Sequence, residues 1–141
     1  MAEASRTEVF DVDKEKVFKV LSDLESYPEF MTGVENVEVV ERSGDNVKAR
    51  YDLNIIKKFS FSLDHKLEGP DRISWTLDSG DLLSKSDGSW ELKDAGNGKT
   101  EVTYSINVEF KVKVPGMISK KLVSSNLPSM MKAVQKKAKK A

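Results

Sequence analysis

From residue 47 onward the chain alternates. Val47, Ala49, Tyr51, Leu53 and Ile55 are separated by Lys48, Arg50, Asp52 and Asn54. Phe59, Phe61, Leu63, His65 and Leu67 are separated by Ser60, Ser62, Asp64 and Lys66. A period of two puts alternate side chains on opposite faces of a strand, so each segment predicts a strand with one apolar and one polar face. The pattern continues through Ile73, Trp75 and Leu77, through Trp90 and Leu92, and through Val102, Tyr104, Ile106, Val108 and Phe110; Val37 and Val39 begin it. Turn-forming runs fall between these segments, at residues 43–46, at Lys57-Lys58, at Gly69-Pro70-Asp71, at Ser79-Gly80-Asp81 and at residues 94–98. Six strands joined by short turns predict an antiparallel meander, dry on one face and wet on the other.

The flanks carry a different period. Thr7, Val9 and Phe10 predict a short first strand, and Asp11 and Asp13 then offer N-cap oxygens to a helix. Val17, Phe18, Leu21 and Leu24 form an amphipathic stripe. Pro28 interrupts it, which predicts a break near residues 22–26 and a second short helical turn carrying Phe30 and Met31. After Pro115 and Gly116, the residues Val123, Leu127, Met130, Met131, Val134 and Ala138 recur at helical spacing, with Pro128 placed to kink or split the long helix they predict. The expected fold is α+β and a single domain over residues 1–141. A curved antiparallel sheet of seven strands, with two short helices after the first, wraps around the long C-terminal helix. Such a sheet is wider than one helix, so a space between them is expected.

Composition narrows the chemistry. The 141 residues include no cysteine and one histidine, which argues against disulfides, thiol catalysis and zinc sites, and no metal or other cofactor is expected. No phosphate-cradling glycine loop occurs, and Asp11-Val12-Asp13 lacks the rest of a calcium loop. No more than two residues from the apolar set (Ala, Val, Ile, Leu, Met, Phe, Trp, Tyr, Cys) occur in succession, so neither a membrane span nor a signal-peptide core is expected, and the expected compartment is the cytoplasm. The 23 basic and 23 acidic residues balance, yet residues 111–141 hold nine lysines and no acid. An acidic body of −9 therefore carries a basic segment of +9, which does not describe a DNA binder.

Several segments resemble a known superfamily, the START-like or Bet v 1-like proteins (SRPBCC), and within it the polyketide cyclase/dehydrase and coenzyme Q-binding START group. They are Leu24-Glu25-Ser26-Tyr27-Pro28-Glu29-Phe30, residues 68–75 (EGPDRISW), Asp87-Gly88-Ser89-Trp90-Glu91-Leu92 and residues 98–104 (GKTEVTY). The resemblance spans nearly the whole chain, though its motifs are mostly turns and packing positions. It implies the helix-grip fold and a cavity for a hydrophobic small molecule such as a lipid, quinone or polyketide. Members differ in whether they bind, transfer or convert that molecule.

The inward strand face collects Tyr51, Leu53, Phe61, Leu63, His65, Trp75, Leu77, Trp90, Tyr104 and Ile106, while the charged residues of these strands fall on the other face. With Ile118, Leu122 and Met130 from the C-terminal helix, these are the expected ligand-binding residues. An aromatic wall with a few polar tips suits a greasy ligand whose head group accepts hydrogen bonds; the same residues also make an ordinary core. His65 is either a buried neutral histidine satisfied by a carbonyl or a tyrosine, a ligand contact, or an acid–base group. The inward face offers no carboxylate, lysine or arginine, so no catalytic residue is assigned. The leading expectation is a non-catalytic carrier that is a monomer or weak dimer. A cyclase or dehydratase using His65 with Tyr51 and Tyr104 is the alternative. Lys132, Lys136, Lys137, Lys139 and Lys140 complement the helix dipole, contact an anionic membrane peripherally, or contact a ribosome.

Overall fold

A computed structural model of the chain describes residues 2–55, 57–123 and 127–141, the side chains of Ala2 and Leu122 excepted. The elements are β1 (Ala2–Phe10), α1 (Lys14–Ser22), a 3-10 helix (Leu24–Glu29), β2 (Val34–Ser43), β3 (Asn46–Asn54), β4 (Lys58–Glu68), β5 (Arg72–Gly80), β6 (Leu83–Gly96), β7 (Lys99–Phe110), α2 (Gly116–Val123) and α3 (Leu127–Lys139). Among the described residues the strands form one seven-stranded antiparallel sheet in the order β1-β7-β6-β5-β4-β3-β2. Register shifts in the β2–β3, β4–β5 and β6–β7 pairs mark bulges, which bend and twist a strand and let the sheet curl. This is the helix-grip arrangement.

The element ends differ from the sequence pattern for identifiable reasons. β1 starts at Ala2 because it pairs with β7 along its whole length, from Ala2 opposite Val108 to Phe10 opposite Thr100. Asp13 occupies the N-cap position of α1 but makes no side-chain cap; its carbonyl accepts from the N–H groups of Lys16 and Val17. Asp11 donates its backbone N–H to Gln135 Oε1 at 3.0 Å, so it ties α3 to the end of β1 rather than capping α1. Pro28 lies inside the 3-10 helix, and Phe30 and Met31 follow that helix, both donating to the Tyr27 carbonyl. Among the described residues the C-terminal region carries two helical segments, α2 and α3. Pro128 stands in the first turn of α3, where a missing N–H leaves no bond unmade.

Two contacts fix how the helices sit on the sheet. The buried residues of α3, Leu127, Met131, Val134 and Ala138, recur at i, i+4, i+7 and i+11, one stripe of a helix. Helix α3 packs against α1 and β1, and its stripe joins the buried residues of the sheet in one core. Thr100 Oγ1, fully buried, donates to the Val12 carbonyl at 2.7 Å and pins the β1–α1 connection to β7.

Gly88 is required by the close packing of the sheet's centre. It lies opposite Trp75 on β5 and Ile106 on β7. A Cβ there would stand 2.3 Å from the Ser105 carbonyl oxygen and 2.7 Å from the Trp75 indole. Backbone cannot yield that much without moving β7. Gly88→Ala is expected to lower the unfolding free energy by about 1–3 kcal/mol, as overpacking does. Gly116→Ala meets nothing within 4 Å, so it is expected to stay within about 0.5 kcal/mol of the parent. Urea denaturation of the two variants side by side checks both values.

Candidate functional site

A cavity of about 180 Å³ lies between the inner face of β3–β7 and the helices α2 and α3. Of the residues expected at a ligand site, Tyr51, Leu53, Phe61, Leu63, His65, Trp75, Trp90, Tyr104, Ile106 and Met130 line it. Leu77 packs half-buried against the core beside the register shift at Ser62/Leu63 but is not part of the lining. Ile118 is exposed and is not among the lining residues. It precedes Leu127 by nine positions, half a revolution of even one unbroken helix. The Leu122 side chain lies outside the described residues.

Further lining residues come from two sources. Ile55, Phe59, Ile73, Val108 and Phe110 share the strand periodicity that identified the others, and Val123 and Leu127 share the helical one. Tyr27, Met31 and Thr32 come from the 3-10 helix and the residues after it. No periodicity marks those three. Only the tertiary position of the 3-10 helix, held by the Glu25 carboxylate accepting the Val39 N–H at 3.0 Å, brings them to the cavity.

The walls are aromatic and interlocked. Tyr51 stacks on Phe61 with centroids 5.3 Å apart, and Tyr104 lies against Trp90 at 4.6 Å and Trp75 at 5.7 Å. No charged side chain is among the described lining residues. Burial pushes the phenols of Tyr27, Tyr51 and Tyr104 far above the ordinary tyrosine range, so all three stay neutral.

The polar centre is a hydrogen-bonded chain. His65 Nδ1 lies 3.1 Å from the Val47 carbonyl, and Nε2 lies 2.7 Å from the Tyr51 hydroxyl. A carbonyl only accepts, so the imidazole proton sits on Nδ1 and Nε2 accepts from Tyr51. Burial lowers the pKa of His65, against the smaller opposing pull of the Val47 carbonyl and the Asp64 carboxylate, so the ring stays neutral. Both nitrogens are therefore engaged. The Tyr27 hydroxyl donates to the Leu21 carbonyl. No group of three or more metal-ligating side chains occurs among the described residues.

A larger open groove of about 1190 Å³ crosses the outer face of the sheet. It is lined in part by Lys48, Asp64, Lys66, Arg72 and Asp87. Neighbouring charges on this face pair, as in Lys48–Asp78 at 3.4 Å, and water screens them. The groove offers an apolar molecule no enclosure, so the smaller interior cavity is the candidate site. The basic residues Lys132, Lys136, Lys139 and Lys140 are exposed, whereas Lys137 is half-buried, 3.2 Å from Glu29 and 6.0 Å from the Phe30 ring centre. Lys139 is twelve residues beyond Leu127, about 18 Å along the helix, so this basic end is remote from the lining residues of α3.

Comparison with known proteins places the chain among relatives of the same shape. A family model described as polyketide cyclase / dehydrase and lipid transport matches residues 10–135. No curated protein matches the chain in sequence. A START superfamily protein from Mycobacterium smegmatis superposes with a TM-score of 0.86 at 23% identity, covering 98% of this chain and 97% of that one. The Zhui aromatase/cyclase from Streptomyces sp. R1128 superposes with a TM-score of 0.87 at 15% identity, covering 99% and 94%. Human STARD10 gives 0.81 at 17%, covering 98% of this chain and 63% of its own. At these identities the likeness is one of fold. No described helix is long and apolar enough to cross a membrane.

The buried histidine sets a pH dependence. The unfolded chain takes up a proton near the ordinary histidine value of 6.5, while the folded protein resists it. The unfolded state thus binds more protons between that value and the lower folded one, and stability falls as pH drops through this window. Chemical denaturation from pH 7 to pH 5 is expected to show that loss, and His65→Gln to flatten it. Tyr51 stays protonated across the whole window, so it contributes no slope there.

Proposed function

The chain belongs to the polyketide cyclase/dehydrase and lipid transport family, and from that premise we propose that it is a cytoplasmic binding or carrier protein for a neutral hydrophobic small molecule. A lipid, a quinone or a polyketide-like aromatic is the class the family implies. The observation that carries this reading is the aromatic cavity between sheet and helices, with no charged side chain in its described lining. Burying an ionised ligand head group there would cost several kcal/mol without a partner, whereas an apolar ring gains from every contact. The volume of about 180 Å³ is near that of an engineered apolar cavity that takes up benzene, so the resting cavity suits one or two rings or a short chain. The fold of a Streptomyces aromatase/cyclase and of human STARD10 is shared, and that sharing is compatible with carrier and cyclase alike.

The carrier reading is favoured over the cyclase reading by the state of His65. A general base needs an open lone pair within reach of the substrate proton, and its Nε2 lone pair is engaged by Tyr51. Tyr104 alone adds no base, because burial keeps its phenol protonated.

Native mass spectrometry of protein purified gently from its own host, with solvent extraction of what it holds, tests the carrier reading. A stoichiometric hydrophobic adduct is expected; an empty protein that also leaves Trp75 and Trp90 fluorescence unchanged across quinones, fatty acids and aromatic polyketides overturns it. Met130→Trp, which fills the cavity from the α3 side, is expected to weaken uptake of any such ligand at least tenfold while the protein still unfolds cooperatively.

A peripheral contact with an anionic membrane through Lys132, Lys136, Lys137, Lys139 and Lys140 is a second proposal, favoured by the exposure of four of them and by the absence of any acid in residues 111–141. Each lysine near such a surface contributes about 1 kcal/mol, screened by salt. Sedimentation with phosphatidylserine vesicles is expected to fall steeply between low and physiological salt, and binding that ignores salt argues against this contact.

A further inference from the structure

We propose that the cavity selects ligands that donate a hydrogen bond: neutral apolar molecules carrying an alcohol or phenol O–H, which the oxygen of Tyr51 accepts. The inference deepens the carrier reading and rests on it. It follows from the direction of one hydrogen-bonded chain. The Val47 carbonyl has no proton, so His65 Nδ1 supplies the one between them, at 3.1 Å. A neutral imidazole carries a single N–H, so Nε2 is a bare lone pair. The Tyr51 hydroxyl, 2.7 Å away, therefore points its proton at His65. What remains on the Tyr51 oxygen is acceptor capacity alone.

A second wall residue has the same polarity. The Tyr27 hydroxyl spends its proton on the Leu21 carbonyl, and its ring lies 6.3 Å from that of Tyr51. Two oxygens in the lining thus have fixed directions, and both present lone pairs. Thr32, Ser86 and Tyr104 carry the other hydroxyls of the described lining, which can rotate to serve either role, and Trp75 and Trp90 carry indole N–H donors, so the acceptor polarity is local to the Tyr51 oxygen. A quinone carbonyl or an ether oxygen placed at Tyr51 would set acceptor against acceptor, leaving its own lone pairs unmatched. A carboxylic acid would arrive ionised at neutral pH and find no cation in the lining. Neutral hydroxyl compounds meet neither penalty. The backbone of β3 is thus a specificity element: through His65, the carbonyl of Val47 decides which way Tyr51 faces.

The test uses the whole protein and three small probes of matched size, 2-naphthol, 2-methoxynaphthalene and 1,4-naphthoquinone, followed by isothermal titration calorimetry. 2-Naphthol is expected to bind about three- to tenfold more tightly than 2-methoxynaphthalene, the range one net hydrogen bond supplies, and more tightly than the quinone. Equal binding of all three overturns the proposed polarity and leaves the carrier reading standing; binding of none overturns the carrier reading and this inference with it. His65→Leu removes the group that claims the Tyr51 proton and is expected to bring the naphthol-to-ether ratio down toward one, with gain on the ether and quinone side. A ratio that stays at the parent value in a variant that unfolds cooperatively overturns the proposal. Because the chain has one histidine, the ¹⁵N spectrum of uniformly labelled protein reports the tautomer without assignment or mutation. The proton is expected on Nδ1 at neutral pH, and a proton found on Nε2 overturns the proposal independently of any ligand.

Discussion

The structure depends on a mismatch between a sheet that is dry on one whole face and a helix that covers only part of it. Period-two alternation gives every strand from β3 to β7 an inward apolar row. Helix α3 packs on α1 and β1, and only its N-terminal end, at Leu127 and Met130, reaches the cavity. Between that helix and the sheet, the aromatic rows of β3, β4 and β5 face a gap that their own rings only partly fill. A core of smaller side chains would collapse onto the helix. Stacked rings such as Tyr51 on Phe61, and Tyr104 between Trp75 and Trp90, brace one another instead. The cavity is what remains when a rigid wall meets a helix anchored elsewhere.

Within that wall, Gly88 and His65 matter as much as the large aromatic residues. Gly88 lets the Trp75 indole lie flat over β6, since any side chain there would collide with both the ring and the backbone of β7. The single histidine on the face is neutralised by the same burial that encloses the cavity, and its proton is held by a backbone carbonyl. Shape and polarity in the site therefore share an origin in the β3–β6 backbone, and neither is set by a charged side chain.

Much of this was legible in the residues themselves. The alternation in residues 47–68 and 102–110 identified the strands, the inward set and the inward direction of His65, because a pleated strand leaves no freedom in which side a residue takes. What the alternation could not carry was anything that depends on register between strands. That the Val47 carbonyl falls under the imidazole is a property of the β3–β4 pairing. That Gly88 falls under Trp75 is a property of the β5–β6 pairing. Tyr27, Met31 and Thr32 escaped for a different reason, since a short 3-10 helix has no face long enough to show a period. Ile118 stood outside the helical stripe that begins at Val123, and the structure leaves it exposed.

The strand order carries a kinetic consequence. From β2 to β7 each strand pairs with its successor in the chain, so hairpins can form one after another with short loops to close. β1 is the exception: its partners on β7 are ninety or more positions away, Phe10 with Thr100 at the near end. Closing so long a loop costs entropy that only the finished sheet can repay, since each doubling of loop length adds about 0.6 kcal/mol. The meander therefore assembles with its aromatic face still open to water, and the docking of β1, α1 and α3 encloses it afterwards. An apolar molecule present during refolding meets that wall half-built.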